Sequence, residues 1–284
     1  MNDYNIDIYY QSLSQLDHST LFASPMGFGV YHALNSFIAL GSEPRTAAHS
    51  LDILRVQNQE PTPRLFRQFW RAFLEVVCQV PWFDGRQQKL VEIISHLISF
   101  PSPTQPGRSF WADLPELKYV VQELWSTPGN GGNNGDKYRR WVNLNAFIAR
   151  LYSANIVEWY DFGIYSVRRA SERSHYPSFE ARVCHMFAAA TWMTYSAPKL
   201  FLLTQTPMTD EGRAAFANTG YVVFDNPEFY GTTIITVARW IQWKRWFRNN
   251  SITGWDLSFT AYTHMNNADG GIGMEDLYML RPFD

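Results

Sequence analysis

An all-α fold, either one large multi-helix bundle or an irregular array of about nine or ten helices, is what this sequence predicts. Two observations carry the prediction. Apolar residues recur every three to four positions through most of the chain, the period of one face of an α-helix. Alternation with a period of two, the mark of a half-buried strand, is nearly absent, and Gly220–Phe224 is the one short candidate strand.

Taken in order, residues 27–40 and 43–55 read as two helices divided by Gly41-Ser42, with Ser42 as N-cap ahead of Pro44 in the first turn. Phe66, Phe69, Trp70, Phe73 and Val77 define a helix over 62–79. Leu90, Ile93, Ile94, Leu97 and Ile98 define another over 85–99, and Leu114, Leu117, Val121 and Leu124 a third over 112–126. Further helices are expected at 137–153, 178–196, 208–217, 234–248 and 252–266. The proline-rich segment Pro101–Gly107 separates an N-terminal helical part, 1–100, from a C-terminal one, 108–284, within one continuous domain. The glycine-rich run Pro128–Gly135 matches no phosphate-binding fingerprint and follows a helix rather than a strand, so it reads as a surface loop or lid. The tail from Gly270 onward is irregular, with Met274, Leu277, Tyr278 and Leu280 expected to pack back.

Bulk properties narrow the function by exclusion. A net charge of −2, from 24 basic and 26 acidic residues, gives no electrostatic reason to expect nucleic acid. Cys78 and Cys184 sit far apart in apolar surroundings, as buried thiols of a reducing compartment do. No basic stretch followed by an apolar run opens the chain, and no window nears the roughly 18 apolar residues of a membrane span. A cytoplasmic protein without a membrane span is therefore expected. The seven histidines include no i, i+4 pair, and neither C-x-x-C nor a nucleophile elbow is present, so no metal and no cofactor is expected.

What remains is aromatic chemistry: 20 Phe, 15 Tyr and 11 Trp make 16% of the chain. Large rings either fill a helical core or wall a cavity for a bulky apolar ligand. The helix Trp141–Leu151 carries Asn143 and Asn145 among residues that seek burial, and an unpartnered buried amide costs about 1–3 kcal/mol. Each therefore needs a partner, which is another helix or a ligand. On 178–196, His185, Ala188, Ala189, Trp192 and Tyr195 share a face. On 234–248, Trp240, Trp243 and Phe247 share a face while Arg239, Lys244 and Arg245 flank it. On 252–266, Trp255, Phe259 and Tyr262 read as core-seeking and Asp256, Thr260, Thr263 and His264 as a polar stripe.

Four segments together resemble a fungal family known as a domain of unknown function (number 3632). They are Trp111–Pro115 with Glu123–Trp125, Trp141–Leu151 with its W-x-N-L-N-A-F-x-A-R-L pattern, Ala181–Tyr195, and Arg239–Phe247. The resemblance spans about 110–266. It implies a mainly helical, intracellular fungal protein of about this length, of a kind that recurs beside natural-product pathways. It supplies no catalytic residues.

The first function these features suggest is a cofactor-independent enzyme of natural-product assembly. It would fold a bulky apolar terpenoid or polyketide inside an aromatic-lined pocket and cyclise or isomerise it, Diels–Alder closure included. Asn145, His185, Tyr195 and His264 are its candidate catalytic groups, as donors or proton carriers. Trp141, Asn143, Arg150, Trp192, Trp240 and Trp243 are its candidate substrate-binding residues. The alternative is a non-catalytic helical scaffold or ligand-binding protein whose aromatic residues are core. A closed apolar cavity favours the enzyme; a filled core with an exposed concave face favours the scaffold.

Overall fold

Side-chain caps and prolines fix where the helices begin. The computed structural model describes residues 24–57, 62–101, 109–125, 135–173, 175–205, 235–251 and 256–272. Among these, ten helices occur and no strand: α1 Pro25–Leu40, α2 Pro44–Gln57, α3 Pro63–Gln79, α4 Gly85–Ser99, α5 Leu117–Leu124, α6 Gly135–Ser153, α7 Tyr160–Ser171, α8 Phe179–Leu202, α9 Val237–Ser251 and α10 Asp256–Ala268. The fold is all-α. Ser24 and Thr62 accept hydrogen bonds from the amides of Gly27 and Leu65, each with a proline in the first turn behind it. Gly41 ends α1 in the left-handed conformation, at φ 69°, and its amide donates to the Phe37 carbonyl. In α2 the first-turn amides of Thr46 and Ala47 donate to the Glu43 carbonyl, so the cap falls on Glu43 rather than Ser42. Asp84 caps α4 by accepting from the Arg86 amide at 2.8 Å.

Two expected boundaries and one expected buried face differ, for local reasons. The helix expected over 112–126 shortens to α5 because Pro115 forces Leu114 out of the helical region. Leu114 and Glu116 both take positive φ, 43° and 64°, and the freed Pro115 carbonyl accepts from the Trp70 indole at 2.8 Å. α8 runs past residue 196 to Leu202 despite Pro198, because the buried Leu200 and Phe201 hold the last turn in the core. In α10 the buried positions are Leu257, Ser258, Ala261 and Met265. Phe259, expected inside, is 58% exposed. The expected helix at 208–217, the strand at 220–224, most of Pro101–Gly107 and Pro128–Gly135, Trp255 and the tail beyond 272 lie outside the described residues.

The chain divides into two compact units, Met1–Phe147 and Ile148–Asp284, with the division inside α6. In the first, α1 packs on α2 and α3, α2 on α4, and α3 on α5. Its aromatic core joins Phe69, Trp70 and Phe73 of α3 to Trp111, with the Phe69 and Trp111 rings 5.0 Å apart. In the second, α8 is the central element: α7 and α10 both pack on it, and α9 packs on α7 and α10. Residues of α8 from Ala181 to Met193 are buried on almost every side. That includes Ala188–Ala190, so its small residues are filled by neighbouring helices. Gly163 of α7 lets α8 approach, since a methyl group there would stand 2.6 Å from the Trp192 ring.

Candidate functional site

Asn143 belongs to the fold. In the first unit α3 ends inside the protein, where its last carbonyls have no intrahelical donor. Asn143, fully buried on α6, donates its amide to the Cys78 carbonyl at 2.8 Å and accepts from the Trp82 amide at 2.9 Å. Gln87 of α4 completes the cap by donating to the carbonyls of Val80 at 2.7 Å and Val77 at 3.3 Å. Two residues on, Asn145 donates to the Trp141 carbonyl four residues back, at 2.8 Å. Trp141 is buried with its ring 5.5 Å from that of Trp125.

The second unit brings two predicted residues face to face. The Arg150 guanidinium lies 3.5 Å from the centre of the Tyr195 ring, the geometry of a cation–π contact. Burial lowers the Arg150 pKa and the tyrosine field opposes it; burial also raises Tyr195. One turn along α8, the arrangement reverses. Lys199 stands 4.1 Å from the Tyr152 ring centre and donates to the Tyr152 carbonyl and to Glu158.

Trp240 and Trp243 meet buried carboxylates. Glu172, just past α7, accepts from Arg239 Nε at 2.7 Å and Nη2 at 2.9 Å, and from the Trp243 indole at 2.8 Å. Arg168 adds a longer bond at 3.3 Å. Asp269, at the end of α10, accepts from Lys244 at 2.6 Å and from the Trp240 indole at 2.9 Å. Arg239 and Lys244 are 1% and 2% exposed, so they are core residues with charge partners, whereas Arg245 is exposed. Burial and then the neighbouring Arg239 push Arg168 down to about 10. The sequence reading missed Glu172 and Asp269. The signal that could have found them was the paired cations on the tryptophan face, which need buried anions.

His185 is buried on α8 with its ring 5.7 Å from that of Tyr176. Burial, reinforced by the Arg173 charge, pushes its imidazole down to about 4. It is therefore neutral at physiological pH. The unfolded chain takes up this proton at a higher pH than the folded one, so stability falls as pH drops from about 6.5 towards 4. Wild type is expected to lose up to about 3 kcal/mol more than His185→Gln across that window, read from urea unfolding at stepped pH. Equal slopes for the two proteins would rule this out.

These residues do not form one cluster. His185 and Tyr195 are ten residues apart on α8, about 15 Å along the axis. Trp192, between them, is fully buried against Gly163 and Tyr152. His264 is exposed on α10. In the first unit an open groove of about 630 Å³ is lined by Glu43, Arg45, Thr46 and His49 of the α2 end and by His96 of α4. Among the described residues no group of three or more His, Cys, Asp or Glu side chains is placed to hold a metal ion, and no helix is long and apolar enough to cross a membrane. Both cysteines are unbridged and buried, and burial pushes the Cys78 thiol up to about 12.

No curated protein and no solved structure matches the chain. A family model matches residues 70–247, from the buried Trp70 of α3 to the buried Phe247 of α9. The matched stretch covers the α3 cap, the Arg150–Tyr195 stack and the Glu172 network, and it extends over more than half of the sequence, so the chain belongs to the family described as proteins of unknown function, DUF3632.

Proposed function

We propose that this protein is a non-catalytic helical scaffold or binding protein, whose aromatic residues are core and whose contacts are made at its surface. One observation carries the reading: of the four tryptophans expected to wall a pocket, two, Trp240 and Trp243, are fully buried with their indole N–H groups committed to Asp269 and Glu172. An indole used this way braces helices rather than facing a ligand. The groove between the start of α2 and α4, lined by Glu43, Arg45, Thr46, His49 and His96, is an exposed concave face of the kind such a protein uses.

A second reading keeps the cofactor-independent fungal cyclase or isomerase acting in the cytoplasm on a bulky apolar terpenoid or polyketide. The Arg150–Tyr195 stack favours it, since a half-buried guanidinium and a phenol could polarise a substrate carbonyl. Titration with Nile red, a neutral apolar probe, separates the two. The scaffold reading expects no saturable, one-to-one fluorescence gain in the folded protein. Saturable binding that also quenches tryptophan emission, and that Tyr195→Ala weakens, would replace it with the enzyme.

A further inference from the structure

Two arginines lie near the junction of α7 and α8. Arg173 lies in it, and Arg182 follows in the second turn of α8, three residues before His185 and so beside it on the helix surface. Tyr176 anchors the turn: its hydroxyl donates back to the carbonyls of Arg169 and Ala170 at the end of α7. Its ring lies against His185. The cluster thus has a buried floor, His185, and a rim that reaches solvent, with Arg173 and Tyr176 half-buried and Arg182 exposed. One rim nitrogen, Arg173 Nη1, is buried and has no hydrogen-bond partner among the described residues. The buried carboxylate of Glu172, adjacent in sequence, is engaged by Arg239, Trp243 and Arg168. Glu180, in the first turn of α8, is exposed.

Two guanidinium groups, one of them carrying a buried N–H without an acceptor, are donors that a tetrahedral oxyanion satisfies. We propose that the Arg173–Tyr176–Arg182–His185 cluster is a binding site for a phosphate group, with the two arginines supplying the charge and the hydrogen bonds and His185 forming its buried floor. The site lies in the second unit and does not depend on the scaffold reading.

The site also explains the electrostatics of its floor. Arg182 and Arg173 both act on Tyr176, and Arg173 acts on His185. An anion seated between them cancels that field and makes the imidazolium easier to form. Binding and His185 protonation are therefore linked.

The test is a titration of the full-length protein with inorganic phosphate at constant ionic strength, following the His185 imidazole by NMR. The expected result is a saturable shift of its resonances and an upward move of its titration midpoint from about 4. Arg173→Gln should weaken phosphate at least tenfold. Arg182→Gln, at an exposed position that cannot unfold the chain, should weaken it several-fold, and Arg64→Gln in the first unit should leave it unchanged. Succinate should bind more weakly than phosphate. The proposal is overturned if potassium chloride gives the same response as phosphate, if succinate binds more tightly, or if both arginine variants bind as wild type does.

Discussion

Glu172→Gln is expected to destabilise the second unit by about 3–5 kcal/mol. The reason is charge, not contact number. Glu172 has no exposed side-chain surface and balances Arg239, itself 1% exposed, while Arg168 approaches from the preceding turn. Neutralising the carboxylate leaves two guanidinium groups in a medium that solvates them poorly. The Trp243 indole loses its ionised acceptor in the same step. Removing both members of the main pair distinguishes this account from simple loss of packing. Glu172→Met combined with Arg239→Met should recover part of the stability lost by Glu172→Met alone, because no unpaired charge remains at Arg239. Urea unfolding of the three variants measures it. A double variant no more stable than the single one would show that the network contributes through shape rather than charge balance.

This network also shows where the sequence could be read and where it could not. Periodicity inside one helix was sufficient for α3, whose Phe66, Phe69, Trp70, Phe73 and Val77 are all buried as their spacing implied. It placed Trp240, Trp243 and Phe247 on one buried face for the same reason. It put Arg239 and Lys244 on the flanks, because charged residues are seldom buried unless paired. Their partners lie 67 and 25 residues away, beyond any pattern within the helix. α7 escaped notice on related grounds. Its buried face includes Gly163, Ser166 and Arg168, which break the apolar stripe. Ser166 settles its hydroxyl on the Phe162 carbonyl, Arg168 settles on Glu172, and the glycine makes room for Trp192. Each polar residue inside α7 is intelligible only once its neighbour is known. The two asparagines of α6 stood out in the sequence because a buried amide must have a partner, although the sequence did not say which.

That partner decides the second prediction. Asn143→Leu is expected to destabilise the first unit by about 2–5 kcal/mol, and Asn145→Leu by clearly less. Both side chains are fully buried, and both substitutions add similar apolar bulk. They differ in what they leave behind. Asn145 donates to the Trp141 carbonyl, which already lies within the helical ladder of α6, so its loss strands no carbonyl at that position. Asn143 serves two backbone groups that no helix supplies: the Cys78 carbonyl in the last turn of α3 and the Trp82 amide beyond it. Leucine can meet neither, and water does not reach them. Gln87 cannot take over, because its amide is already committed to Val77 and Val80 on the same helix end. Amide exchange locates the effect as well as its size: Trp82 should lose protection in Asn143→Leu and keep it in Asn145→Leu. Comparable losses of stability in the two variants, with Trp82 still protected in both, would mean that α3 is held by its apolar face and that the cap contributes little.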